Sequence, residues 1–249
     1  MELAKNRAAG PLPGIRGARI AALLATGALT GLGAAGCGVF HSSSTLPGMQ
    51  KQITNGERVS ARTRAHPSRP AASPAAAPAP RERRVPGQQV TAIGDSVMAA
   101  SAMALADVLP GIYIDAKPDR QMPAGLALVR NLARSGRLRP VVVIGLGTNY
   151  LVTTSQLNKL LRMIGPGRRL VLINTYVPDG WSKQVNATEA AFIRTNPQVV
   201  PADWYDTIRN RTYLLWPDHV HPQLPGTRVY AQMVYRAVQS TRDVTPATP

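Results

Sequence analysis

Val141-Val142-Val143-Ile144-Gly145-Leu146-Gly147-Thr148-Asn149 is the stretch of this 249-residue chain that decides its fold. It opens with an apolar run led by three valines, the signature of a strand covered on both faces and so of a parallel sheet. Its polar residues come last, where such a strand delivers the chain to the edge of the sheet. Leu170-Val171-Leu172-Ile173-Asn174 repeats the pattern, and shorter runs at 89–93, 112–115 and 199–204 read as three more strands. Between and after them, helical patterns cover 97–109, 123–134, 154–164, 185–194 and 225–239. Strands alternating with helices of this length predict βαβ units and a three-layer α/β/α sandwich around a parallel sheet. About 155 residues suit one such domain.

Outward from this core the composition changes. Residues 40–88 are rich in Ser, Pro, Ala and Arg and poor in large apolar side chains, which predicts a disordered linker with a semi-rigid Pro-Ala centre at 70–80. Residues 1–39 combine Lys5, Arg7, Arg16 and Arg19 with an uncharged apolar run at 20–36, the pattern of an export signal or N-terminal membrane anchor. The arginines predict that this end stays cytoplasmic and the remainder is exported, to the periplasmic or extracellular side. The single cysteine, Cys37, follows Leu32-Gly33-Ala34-Ala35-Gly36, similar to a bacterial lipobox with Ala34 where Leu is expected. Cys37 is therefore a candidate lipidation site. Residues 243–249 read as a disordered tail.

One cysteine excludes an intramolecular disulfide framework and Cys-based zinc motifs. The net charge of +16 is concentrated outside the core: residues 1–88 hold 12 Lys/Arg against 3 Asp/Glu. With only 5% aromatic residues, the chain is not expected to bind nucleic acid.

Parallel sheets bind ligands beyond the C-terminal ends of their strands. The first strand runs into Gly94-Asp95-Ser96, placing a hydroxyl where a helix N-terminus offers N–H groups; an ordinary N-cap is the alternative. The stretch at 141–149 ends in Asn149, an amide donor beside Gly147. Asp218-His219-Val220-His221 precedes the last helix, and a three-residue separation lets Asp218 and His221 meet in one turn. His41 and His66 lie in the anchor and linker, so His-dependent chemistry in the folded domain falls to His219 or His221. Tyr150, Trp181 and Trp216 are candidates for stacking on sugars, Tyr150 foremost as a substrate-binding residue, with core packing the alternative for each.

The G-D-S turn, the Gly147-Thr148-Asn149 loop and the D-x-x-H together resemble the SGNH (GDSL-like) hydrolase superfamily. Ile114-Asp115-Ala116-Lys117, Arg120-Gln121 and Asp203-Trp204-Tyr205 are similar to stretches of one branch, the extracytoplasmic domain of peptidoglycan O-acetyltransferases. The resemblance spans roughly residues 89–240, within an expected catalytic domain at 89–242, and implies a flavodoxin-like fold. It implies Ser96 as nucleophile, His221 as general base and Asp218 as the residue orienting it. The Ser96 N–H and the Asn149 side chain would form the oxyanion hole. SGNH enzymes often have Gly in their second block; here Asp119 precedes Arg120, which is the candidate to compensate and contact substrate, with a salt bridge to Asp115 or Asp119 as its alternative.

That chemistry needs no metal or cofactor. It leaves three readings: an exported, membrane-tethered acyltransferase acetylating a cell-envelope glycan, with acyl groups supplied by a separate membrane protein; a carbohydrate or lipid esterase using the same residues; and a catalytically silent wall-glycan-binding protein.

Overall fold

A computed structural model describes residues 46–65, 84–178 and 180–243. The expected signal or anchor, Cys37, the whole Pro-Ala centre at 70–80 and the last six residues of the tail lie outside them. Among the described residues no helix is long and apolar enough to cross a membrane.

Five parallel strands, β1 (Val90–Gly94), β2 (Tyr113–Ala116), β3 (Val141–Gly145), β4 (Arg169–Ile173) and β5 (Val199–Ala202), form one sheet in the order β2-β1-β3-β4-β5. Every residue of β1 and β3 is buried, as their apolar runs require. Side chains alternate between two cores. Ala92, Val143, Val171 and Val200 face one helical layer, which contains α2 (Ser96–Val108) and α7 (Leu224–Ser240). Ile93, Val142, Ile144, Leu170 and Leu172 face the other, which contains α3 (Met122–Arg134), α4 (Thr154–Ile164) and α5 (Trp181–Thr195). The three-layer sandwich is as expected. The strand order reverses at β1, so the crevice between the ends of β1 and β3 is the natural ligand position.

Two differences from the expected elements have physical causes. The fifth strand stops at Ala202, because Asp203 caps a short helix, α6 (Trp204–Ile208), accepting the Asp206 N–H at 2.9 Å. The larger correction concerns the linker. Pro47–Ala65 is a helix, α1, packed on α2 and on the edge strand β2. Its buried residues, Met49, Ile53, Gly56 and Ser60, recur at helical spacing. Composition concealed this face because half of it is small. A Cβ on Gly56 would sit 1.6 Å from the Ala99 carbonyl oxygen, so glycine is what lets the two helices approach. At its far end, Thr63 Oγ1 accepts the Ile114 N–H at 3.0 Å and lies 3.1 Å from the Ile114 carbonyl. The helix thereby covers a sheet edge that would otherwise present unpaired groups. The folded body also reaches upstream of residue 89: the Gln239 amide pairs with both backbone groups of Val85.

Candidate active site

The first element of the site is the turn from β1 into α2. Asp95 is the helix cap, its Oδ1 accepting the Val97 N–H at 3.0 Å, and its own N–H reaches the Gly145 carbonyl of β3 at 3.3 Å. Ser96 is therefore the first residue of α2, 6% exposed, and its N–H is one of those that a helix leaves without an internal partner. A donor and a hydroxyl thus share one residue at the positive end of a helix. Burial pushes the Asp95 carboxyl up to about 6, against the opposing pull of Thr148, the Val97 N–H and the charge of His221.

The loop after β3 supplies the second. Gly147 has φ 138°, and a Cβ there would lie 2.9 Å from Val185, so the backbone path requires glycine. The Trp181 indole donates to the Gly147 carbonyl at 3.1 Å, and the Thr148 and Thr175 hydroxyls are 3.2 Å apart. Asn149 rests its amide on the Arg120 carbonyl at 3.4 Å, which leaves its second N–H for another acceptor. Tyr150, next to it, is 59% exposed and available to a ligand.

Arg120 is engaged with the ends of two strands. Its guanidinium is 9% exposed, pairs with Asp115 Oδ1 at 2.7 Å and donates to the carbonyls of Gly94 (3.1 Å) and Asp115. It holds the end of β1, two residues before Ser96, against the end of β2. The salt-bridge alternative for this residue is what the structure shows, and Asp119 precedes it with φ 60°.

The third element is the loop that closes with a bridge between Leu215 and Pro222 and a hydrogen bond from Trp216 N–H to the His221 carbonyl (2.8 Å). Within it, Asp218 Oδ1 accepts the Val220 and His221 N–H groups at 3.0 and 3.1 Å, and Oδ2 is 2.6 Å from His221 Nδ1. Burial alone would raise the Asp218 carboxyl, but the bond to His221 and the two N–H groups outweigh it and hold it below its ordinary range. With Nδ1 engaged, Nε2 is the ring nitrogen left over, and it is buried with no partner among the described residues. His219 takes φ 56° and is exposed.

Two stacking candidates have structural duties: Trp181 braces the Gly147 loop, and Trp216 packs its ring edge against Gly48 of α1. Trp216 also lines a cleft of about 460 Å³ bordered by Gln52, Met103 and Leu224. Sequence reasoning assigned no role to Asp95 or Thr148, although Asp immediately before a helix is a capping signal.

No protein-family model matches the chain. It is 31% identical over 153 residues (61% of its length) to the putative peptidoglycan O-acetyltransferase YrhL of Bacillus subtilis. It is 33% identical over 146 residues (59%) to the peptidoglycan O-acetyltransferase OatA of Listeria monocytogenes. The chain spans about a quarter of these relatives, 24% and 23% of their lengths. Among solved structures, the C-terminal catalytic domain of OatA from Streptococcus pneumoniae, with a methylsulfonyl adduct, matches 64% of this chain and 97% of that one, with TM-score 0.57 and 23% identity. A family 3 carbohydrate esterase of Clostridium thermocellum matches 62% and 96%, with TM-score 0.51 and 17% identity. The fold is that of the SGNH (GDSL-like) hydrolases. By sequence, the relatives are peptidoglycan O-acetyltransferases.

Proposed function

We propose that this chain is a serine O-acyltransferase that acetylates peptidoglycan or a related envelope glycan through an acyl-Ser96 intermediate. The observation that carries the reading is the Asp218–His221 pair, 2.6 Å apart with Nε2 left free, on a fold whose β1 end presents Ser96. The similarity to peptidoglycan O-acetyltransferases supplies the substrate class.

A serine hydroxyl is a weak nucleophile at neutral pH, so a base must take its proton as it attacks. His221 Nε2 accepts that proton while Ser96 Oγ bonds to the carbonyl carbon of the acetyl donor. The imidazolium so formed is stabilised by Asp218, already ionised because its carboxyl is held low. The carbonyl oxygen becomes an oxyanion, for which the Ser96 N–H and the free Asn149 N–H are the donors. Collapse expels the donor's alcohol, which leaves with the proton from His221. In the second half the acceptor sugar hydroxyl gives its proton to Nε2 and attacks acetyl-Ser96, releasing the ester and restoring Ser96. No step calls on a metal or cofactor.

In this reading the acyl groups would be supplied by a separate membrane protein. Residues 1–39 would hold the domain at the outer face of the membrane, as an uncleaved anchor or through lipidated Cys37, and the segment at 66–83 would act as a tether.

Incubation of the protein with an activated acetyl ester, with and without muropeptides, followed by mass spectrometry, tests the reading. Acetyl-Ser96 and acceptor-dependent O-acetylated sugar are expected. Free acetate as sole product with several glycan acceptors would replace it with the esterase reading. A Ser96 that reacts neither with the ester nor with a fluorophosphonate would leave a glycan-binding protein.

A further inference from the structure

The loop that carries the base is not part of the sheet, and its attachments differ from those of Ser96. Most are internal to the loop or come from its flanks: Trp216 to His221, Gln223 to Leu214 and Leu215, and Asp218 to its own turn. One arrives from far away in sequence. The Gln52 side-chain amide of α1 donates to the Pro222 carbonyl at 2.7 Å, one residue beyond His221. The same nitrogen lies 3.4 Å from the carbonyl of Ala100, one helical turn beyond Ser96 in α2. Among the described residues, Gln52 is the side chain that bonds both the helix bearing the nucleophile and the loop bearing the base.

We infer that Gln52 is a positioning residue for the acyl-transfer reaction, its amide clamping the His221 loop to the Ser96 helix. The inference rests on the serine chemistry proposed above. A primary amide suits the task because it has two N–H donors in one plane, one for each carbonyl. The clamp is itself held in place: Gly56, one turn along α1, permits the close approach to Ala99, and Gly48 seats the helix on Trp216. Proton transfer from Ser96 to Nε2 depends steeply on their separation, and a shift of order 1 Å can cost about 10²-fold in rate. A clamp whose loss allows part of that shift should matter for kcat while touching no substrate. Gln52, and not α1 as a whole, would then act on the reaction.

The test compares the full chain with Gln52→Met, Gln52→Lys and Thr63→Val. The measurements are kcat and KM for p-nitrophenyl acetate, the rate of Ser96 labelling by a fluorophosphonate, and thermal stability. Gln52→Met removes the donor at similar volume and should lower kcat and the labelling rate about ten-fold with KM within two-fold. Gln52→Lys restores a donor and should recover most of the loss. Thr63→Val cuts a different tie of α1, to the edge of β2, and should lower stability while leaving kcat unchanged. Should Gln52→Met not fold, Gln52→Glu, which keeps the shape but sets a carboxylate against both carbonyls, takes its place with the same expectation. The inference is overturned if the donorless variant keeps kcat within two-fold, if Lys does not rescue it, if only KM moves, or if Thr63→Val slows the reaction equally. Wild-type protein that takes no label at Ser96 would remove the serine chemistry and this inference with it, whereas normal labelling in Gln52→Met would remove this inference alone.

Discussion

The two ends of the proposed proton path are held by different means. Ser96 sits where a fully buried strand passes directly into a helix, so its place follows from backbone continuity, the Asp95 cap and the Arg120 strut beneath. His221 sits in a loop outside the sheet, held by main-chain bonds within the loop and by two side chains, Asp218 in the loop and Gln52 from α1. In the proposed mechanism, remote packing changes should therefore reach catalysis mainly through the His221 loop.

Removing either end is the largest expected perturbation. Ser96→Ala and His221→Ala should each cost on the order of 10⁴-fold in turnover of an acetyl ester, and the double variant should be little worse than either. Additive losses would show that the two residues do not act as a unit. His219→Ala, at the exposed neighbour, should be near wild type.

Asn149→Ala leaves both ends in place and removes one of the proposed oxyanion donors. A fall in kcat of about 10²–10³ with a smaller change in KM is expected. An effect confined to KM would make Asn149 a substrate-holding residue and leave the Ser96 N–H as the donor.

Deleting residues 1–83 removes α1 and would strip the base loop of its outside support while leaving the β1–α2 turn intact. Loss of the buried Met49 and Ile53 side chains should cost roughly 1.5–3 kcal/mol each, read as a lower urea midpoint. An unchanged midpoint would mean that α1 adds nothing to the body it lies on.

The smallest expected effect distinguishes the nucleophile end by its titration. Asp95 is raised from 3.8 to about 6 by burial, so the folded protein binds this proton more tightly than the unfolded chain. Its stabilising contribution is complete below pH 3.8 and is lost as pH rises through about 6. Asp95→Asn keeps a capping oxygen and should abolish that loss, gaining at most about 3 kcal/mol over wild type at pH 8. A wild-type minus variant difference that does not change between pH 4 and 8 would contradict the burial of a titrating carboxyl here. Asp218 acts in the opposite sense: its lowered carboxyl stabilises the fold above its ordinary pKa and loses that contribution on acidification.

The legibility of these parts in the sequence tracks how local they are. Runs such as Val141-Val142-Val143-Ile144 announce buried strands because burial on both faces leaves no position for a polar residue. The Asp218–His221 pair was readable for a related reason, since three residues of turn bring them together with little help from the remainder of the chain. Arg120 was not readable in this way. Whether a guanidinium faces substrate or Asp115 depends on the side chain's direction beneath the sheet edge, which its neighbours in sequence do not set.

By itself, then, the amino-acid sequence determined the alternation of strands and helices, the two-sided burial of the sheet, and the residue types at its strand ends, since each follows from local hydrophobic periodicity and turn chemistry. Tertiary structure alone decided that Pro47–Ala65 belongs to the folded body and that Gln52 reaches the loop beside His221. The physical reason is that a helix packing through Gly56 and Ser60 gains its stability from close approach to one particular surface. Composition registers how much apolar area a segment carries, but not the shape of the surface it will meet.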